Sequence, residues 1–179
     1  MKQSKKILIA NRGVIAIRAL RAARELGYSV ASVYSTIDRD QKHLKLSDEA
    51  ICIGPPETKD SYLNEAAIIS AAELSGADAI YPGFGFLAEN ASFAEKCRES
   101  GFKFIGPDPE VIAIMGDKIK AKELAKSLNI PVVPGYEGEI STENEAIKIV
   151  EEIGYPVIIK ASAGGGGRGC LLYTSDAAD

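Results

Sequence analysis

The chain has 179 residues, of which 46% are hydrophobic and 26% charged, with a formal net charge of -4 at pH 7. That is the composition of an ordinary globular protein with enough apolar material for a core. The acidic balance argues against a nucleic-acid binder, and no apolar run approaches the roughly 20 residues needed to cross a bilayer. The start, Met1 to Lys6, is basic, but the apolar run Ile7 to Ala10 is too short for a signal-peptide core, so a cytoplasmic location is expected. Cys52, Cys97 and Cys170 lie far apart and fit neither a zinc site nor a disulfide framework; they read as small hydrophobes.

Strand-like and helix-like patterns alternate from the beginning. Lys6 to Ala10 reads as a buried strand, and from Val14 to Leu26 the apolar positions Ile15, Ala19, Ala22, Ala23 and Leu26 recur at helical spacing. Gly27 stops that helix. Ser29 to Tyr34 and Ala50 to Ile53 are further strands, the latter ended by Gly54-Pro55-Pro56. Asn64 and Asn90 are N-caps for helices reaching about Leu74 and Ser100. Asp78 to Tyr81 and Phe102 to Ile105 are strands, and Asp108-Pro109 is an N-cap followed by proline at the first helical position. Strands alternating with helices of this length predict parallel βαβ units and an α/β, doubly wound parallel sheet.

The rhythm changes near Met115-Gly116. A helix from Asp117 to Leu128 is expected to bury Ala121, Leu124, Ala125 and Leu128. Thr142 and Glu145 form a capping box for a helix that should bury Ala146, Ile149, Val150 and Ile153. A buried strand, Tyr155 to Lys160, follows. The division is expected at roughly 112 to 117, giving a first domain over 1–114 and a second over 115–169. Residues 170–179 depart from the pattern. One codon choice for them matches the end of a transposon adapter used in sequencing libraries, so they are read as an adapter-derived tail.

Phosphate chemistry is signalled most clearly by Ile159-Lys160-Ala-Ser-Ala-Gly164-Gly165-Gly166-Gly167-Arg168-Gly169. Backbone without Cβ atoms can close over a polyphosphate and offer its N–H groups, as a flexible lid would. This is not a Walker A loop, because no Lys-Ser/Thr pair and helix follow the glycines. Lys160 at a strand end fits either a phosphate contact or a side chain that snorkels to solvent, and the adjacent glycines favour the former. Lys118 opens a helix, where the dipole disfavours a cation unless an anion binds nearby.

Three further places admit two readings each. Tyr81-Pro-Gly83-Phe-Gly85-Phe-Leu-Ala88-Glu89-Asn90 joins a strand to a helix and contains G-x-G-x-x-A, a weak dinucleotide fingerprint. In that loop, Glu89 is either a substrate-side carboxylate or a solvated first-turn acid. Arg18 and Arg21 share a helical face with Glu25, either solvated or at a subunit interface. His43, the only histidine, reads as structural. Neither a Ser-His-Asp arrangement nor a cluster with metal-ligand spacing is visible.

These motifs, with Ile9-Ala-Asn-Arg-Gly13, Asp38-Arg-Asp40, Ser47-Asp-Glu49, Phe104-Ile-Gly-Pro107 and Met115-Gly-Asp-Lys118, closely resemble the biotin carboxylases from about residue 5 to Gly169. The resemblance implies a Rossmann-like pre-ATP-grasp domain followed by an incomplete ATP-grasp domain. It implies a ligase that uses ATP and Mg2+ to activate bicarbonate as carboxyphosphate. The ligase then carboxylates N1 of biotin on a biotin carboxyl carrier protein, with carboxyltransferase subunits as further partners and a homodimer as the intact form. It implies ATP contacts from Lys118, Lys160 and the run Gly164, Gly165, Gly166 and Gly167, with Gly166 and Gly167 matched best. The loop containing Gly85 and Glu89 would face bicarbonate and biotin. Stabilisation of a transferring phosphoryl group by lysines and N–H donors is the chemistry implied.

The resemblance also implies that the adenine-binding segment, the magnesium-binding glutamates and the catalytic arginine lie beyond Gly169, so the chain as written is expected not to turn over ATP. Departures from the family pattern are Val14 for a usual glutamate, Tyr81 and Phe84 for a usual histidine and tyrosine, and Cys170 for a methionine. The wording of Asp38 to Asp40 and Ala161 to Ala163 favours an acyl-CoA carboxylase, such as acetyl-CoA carboxylase of fatty acid biosynthesis, over pyruvate carboxylase. Remaining alternatives are another ATP-grasp ligase, a dinucleotide-binding oxidoreductase read from Gly83 to Ala88, and a non-catalytic module that binds through Arg18 and Arg21.

Overall fold

The computed structural model describes residues 5–133, 135, 136, 138, 140–160 and 170–173. The chain divides into two compact units, Met1–Ile112 and Ala113–Asp179.

The first unit is built on strands β1 (Lys6–Ile9), β2 (Ser29–Ser35), β3 (Glu49–Gly54), β4 (Ala79–Tyr81) and β5 (Lys103–Phe104). They form one parallel sheet in the order β3-β2-β1-β4-β5. Connecting helices are α1 (Gly13–Glu25), the short α2 (Lys42–Leu46), α3 (Glu65–Ser75) and α4 (Ala91–Glu99). A parallel sheet must be covered on both faces, so its central strand is apolar on both. β1 obeys this: Leu8 packs with Ala31, Val33, Ile68, Phe93 and Cys97 on one face, and Ile9 packs with Ala16, Leu20, Ala23 and Val30 on the other. Leu8 and Ile9 are both fully buried, which is worth about 1.5–3 kcal/mol each.

Helix ends follow their local chemistry. Asn64 and Asn90 cap α3 and α4 by accepting from the Ala67 and Phe93 amides at 3.1 and 2.9 Å. α1 ends where Gly27 takes φ +78°, with Tyr28 N–H donating to the Ala23 carbonyl at 2.9 Å and Gly27 N–H to Arg24 at 3.0 Å.

The face of α1 that meets the sheet overlaps the expected one only in part: Ala23 is buried and Ala19 packs against the same cluster. Ala16, Leu20 and Ala23 are buried, whereas Ala22 is exposed and Leu26 is 74% exposed. α1 is apolar on most sides, so periodicity alone permits two stripes about one position apart. Of the expected stripe, Ala22 and Leu26 instead border an open groove of about 570 Å³, shared with Ile7, Tyr81 and Ile105. Cys97 is fully buried, where desolvation pushes its thiol up to about 12.

α5 (Pro109–Gly116) begins at the expected proline and contains the division between the units. The second unit holds α6 (Lys118–Ser127), α7 (Glu143–Ile153), β6 (Val157–Lys160) and β7 (Cys170–Tyr173). Asp117 caps α6, accepting from the Ile119 and Lys120 amides at 3.0 and 3.1 Å. Thr142 caps α7 through the Glu145 amide at 3.3 Å; the return bond from Glu145 goes to the Ser141 amide at 3.0 Å rather than to Thr142.

The burial expected here is corrected. No residue of α6 is buried, with Leu124 39% and Leu128 61% exposed, and only Ile149 of α7 is buried. An amphipathic pattern marks which stripe can be covered, not that the described residues cover it. β6 likewise buries Val157 but leaves Ile158 55% exposed, because an antiparallel two-stranded sheet alternates its faces. Residues 170–173, set apart in the sequence, pair with β6 in register Lys160 to Cys170 through Val157 to Tyr173.

Candidate functional site

In an open parallel sheet, ligands bind outside the carboxyl ends of the strands where the strand order reverses. Here the chain runs outward through β1, β2 and β3, then returns to place β4 on the other side of β1. The reversal therefore falls between β1 and β4. The β1–α1 turn, Ala10 to Arg12, and the β4–α4 loop, residues 82–90, meet there.

Asn11 fastens the two. It is 1% exposed, and its Nδ2 donates to the Pro82 carbonyl at 2.7 Å and the Phe84 carbonyl at 3.1 Å. Its Oδ1 accepts from Arg12 N–H at 2.9 Å. Two carbonyl acceptors on one side fix which end of the amide faces the loop. Gly83 takes φ +72°, and a Cβ there would lie 2.6 Å from Ile15 Cγ2 and 3.0 Å from Asn11 Nδ2. Only glycine fits so close to that amide.

Arg12 fastens the same loop further along. Its Nη1 donates to Asp38 Oδ2 at 3.1 Å, and its guanidinium carbon lies 5.3 Å from the Tyr62 ring centre and 5.6 Å from that of Phe86. The two rings stack, with centres 4.9 Å apart and planes 13° from parallel. Phe86 holds φ +43°, a conformation bulky residues seldom adopt.

Asp38, 5% exposed, anchors this cluster. Besides Arg12, its Oδ2 accepts from Tyr62 OH at 2.8 Å and Ser35 Oγ at 2.9 Å, and its Oδ1 accepts from Gln41 Nε2 at 3.4 Å. Burial alone would push the carboxyl up. The bonds from Tyr62, Ser35 and Arg12, with the charge of Arg12, outweigh it and hold Asp38 below the usual carboxylate range. Burial, then the neighbouring Asp38 carboxylate, push the Tyr62 hydroxyl well above its ordinary value, so it stays a donor. The arrangement is a buried anion satisfied by several donors, with a cation laid across an aromatic pair. It organises a loop and offers no nucleophile.

Of the residues expected at a site, Gly85 and Glu89 lie in this loop and are exposed. Residues 82–90 separate β4 from α4, whose N-terminus is capped by Asn90. The tight strand–turn–helix of a dinucleotide fingerprint is therefore not formed, and the oxidoreductase alternative loses its basis. Arg18 and Arg21 are exposed on α1, with Arg18 at the rim of the open groove. His43 is buried against β2, its ring nitrogen Nε2 3.4 Å from the Val33 carbonyl, as suits a structural role.

In the second unit, Lys118 is the first residue of α6, directly after the Asp117 cap, and Lys160 ends β6. Gly164, Gly165, Gly166 and Gly167 lie outside the described residues. Among the described residues, no group of three or more His, Cys, Asp or Glu side chains could hold a metal ion. No helix among them is long and apolar enough to cross a membrane.

Sequence reasoning did not single out Tyr62, nor the pairing of Arg12 with Phe86. Tyr62 sits in the turn that leads into α3, without periodicity around it. Asp38 stood only within a motif, although its place just after β2 at the carboxyl edge marked it in principle.

Comparison with known proteins bears on the whole chain. The biotin carboxylase N-terminal domain family matches residues 3–112, and the carbamoyl-phosphate synthase L chain ATP-binding domain family matches residues 117–178. Biotin carboxylase 1 of Bacillus subtilis is 56% identical over 172 residues, covering 96% of this chain and 38% of the relative. Biotin carboxylase of Pseudomonas aeruginosa is 57% identical over 165 residues, covering 92% and 37%. Among solved structures, the biotin carboxylase-beta-gamma-ATP complex from Campylobacter jejuni superposes with TM-score 0.92 at 50% identity, covering 96% of this chain and 39% of that one. The biotin carboxylase domain dimer of Hydrogenobacter thermophilus 2-oxoglutarate carboxylase, with MgADP and bicarbonate, gives TM-score 0.90 at 48% identity, covering 97% and 38%. The chain thus spans under two fifths of the length of the relatives it matches. With the N-terminal domain family matched over more than half of the chain, the chain belongs to the biotin carboxylase family, carrying that N-terminal domain and a segment of the ATP-binding domain.

Proposed function

We propose that the chain is the N-terminal part of a biotin carboxylase that catalyses ATP- and bicarbonate-dependent carboxylation of carrier-bound biotin. The γ-phosphoryl group of ATP passes to a bicarbonate oxygen, releasing ADP, and biotin N1 then attacks the carboxyl carbon, releasing phosphate. The observation that carries this reading is the 0.92 superposition at 50% identity onto an ATP-complexed biotin carboxylase across 96% of the chain. A relative with MgADP and bicarbonate supports the same substrates, and its dimer supports a homodimer. Matches to the biotin carboxylase subunit of pyruvate carboxylase and to 2-oxoglutarate carboxylase domains mark the shared chemistry as this first half-reaction. Relatives named simply biotin carboxylase support a biotin carboxylase subunit; in this reading it serves an acyl-CoA carboxylase, with a carrier protein and carboxyltransferase as partners.

In this reading residues 1–114 form the pre-ATP-grasp domain and 115–169 belong to the ATP-grasp domain. Lys118, Lys160 and Gly164 to Gly167 contact the phosphates. A phosphate at the N-terminus of α6 would be drawn both by the helix dipole and by the Lys118 cation in its first turn. The loop with Gly85 and Glu89 faces bicarbonate and biotin from the carboxyl edge of the sheet, and Arg18 and Arg21 lie at the subunit interface.

The test is a chimera in which residues 5–169 replace the aligned segment of Bacillus subtilis biotin carboxylase 1. It should release ADP only when bicarbonate is present and carboxylate free biotin. A folded chimera that binds ATP but carboxylates nothing would overturn the proposal.

A further inference from the structure

Asn11 and Arg12 are consecutive, yet they hold the β4–α4 loop at two separate points. Asn11 takes the near end through the carbonyls of Pro82 and Phe84. Arg12 reaches Phe86, two residues on. Satisfying the buried Asp38 does not require this second contact, since Tyr62, Ser35 and Gln41 already donate to that carboxylate. What the contact adds is a fixed platform. Asp38 Oδ2 receives Arg12, Ser35 and Tyr62 together, and the Tyr62 hydroxyl also accepts from the Ser35 amide at 3.2 Å. Neither the guanidinium nor the Tyr62 ring can slide. Phe86, stacked on that ring beneath the same guanidinium, keeps φ +43°, which persists only where surroundings over-determine it.

We propose that Arg12 is a positioning residue: held by Asp38 and laid over the Tyr62–Phe86 stack, it sets the conformation in which the Gly83–Glu89 loop meets substrate. The inference rests on the substrate-side reading of that loop. It adds a chain of command from the first β–α turn, through a cation and two rings, to a loop that Arg12 does not adjoin in sequence. Arg12 touches no reacting atom in this scheme; misplacing a substrate-facing loop by about 1 Å suffices to cost on the order of a hundredfold in rate.

Two readouts test it. In the chimera, Arg12→Met should lower kcat for biotin carboxylation roughly ten- to a hundredfold, with KM for ATP changed less than about twofold. Arg12→Lys, which keeps charge but loses the planar face, should not restore it. In the 179-residue chain, Arg12→Met should speed chymotryptic cleavage after Phe84 or Phe86 by about tenfold, while the thermal midpoint falls little. Phe86→Leu removes the ring without touching Asp38 and carries the same test if Arg12→Met does not fold. Unchanged cleavage in both variants would overturn the clamp. Faster cleavage with unchanged carboxylation would uphold the clamp and overturn the substrate-side reading of the loop. A kcat loss matched by an equal loss of folded protein, or an ATP KM that rises in step, would also overturn the positioning role.

Discussion

Asn11 and Gly83 are fitted to each other across the strand-order reversal: the Asn11 amide bonds the carbonyls on either side of Gly83, and a Cβ on Gly83 would press on that same amide nitrogen at 3.0 Å. Neither residue can change without disturbing the turn of β1 or the loop after β4.

Gly83→Ala should destabilise the chain by about 2–4 kcal/mol, combining a side chain at positive φ with overpacking against Ile15 and Asn11. Asn11→Ala leaves two carbonyls without their donor, one of them in a buried bond, and should cost about 1–3 kcal/mol. Urea unfolding of the two single variants and the double variant checks both values. Because the residues touch, the double variant should lose less than the sum.

His43 predicts a pH dependence with a definite sign. Burial holds the imidazole neutral and lowers its value from the ordinary one, outweighing the Val33 carbonyl and the Asp38 charge that favour protonation. Nδ1 also faces no hydrogen-bond partner among the described residues, so protonating it would bury a bare N–H. The unfolded chain then binds more protons than the folded one below about pH 6.5. Stability from this group is complete above that pH and is lost as pH falls through the folded-state value. Unfolding free energy measured from pH 7 downward should decline more steeply in the wild type than in His43→Leu, whatever the offset between them. Parallel curves would show that His43 does not titrate on unfolding.

Asn90 joins two helices as well as capping one. Its Oδ1 accepts from the Phe93 amide at 2.9 Å and its Nδ2 donates to Glu65 Oε1 on α3 at 3.0 Å. Asn90→Ala should cost about 1–2 kcal/mol, and Asn90→Ser, which keeps the cap acceptor but not the bond to Glu65, should recover most of it. Thermal unfolding of the three proteins ranks them directly.

Lys118 and Lys160 should act on ATP and not on the fold. In the chimera, Lys118→Ala or Lys160→Ala should raise KM for ATP or lower kcat by at least about tenfold, corresponding to about 1.4 kcal/mol of lost phosphate interaction. Steady-state kinetics with ATP varied at saturating bicarbonate makes the measurement. Two variants with wild-type kinetics would remove both lysines from the nucleotide site.

Much of this molecule was legible in its residues. The alternation of strands and helices, the caps at Asn64, Asn90 and Thr142 and the helix stop at Gly27 all follow from short-range chemistry. Such features depend on contacts within a few residues, so the linear order states them. Burial was less readable. Only part of the α1 stripe is covered, with Leu26 exposed, and Leu124 and Leu128 of α6 are exposed, because periodicity names faces and not the partners that cover them.

What the sequence determined by itself, then, was the class of fold and the family. Only the tertiary structure decided that Asn11 meets Gly83, and that Arg12, Asp38, Tyr62 and Phe86 form one cluster. The contacting pairs are 24 to 74 positions apart in the chain. They converge because the parallel sheet, with its order reversing between β1 and β4, places the segments that follow four different strands at one edge. Long-range pairing of that kind is set by how the sheet assembles, and no local pattern encodes it.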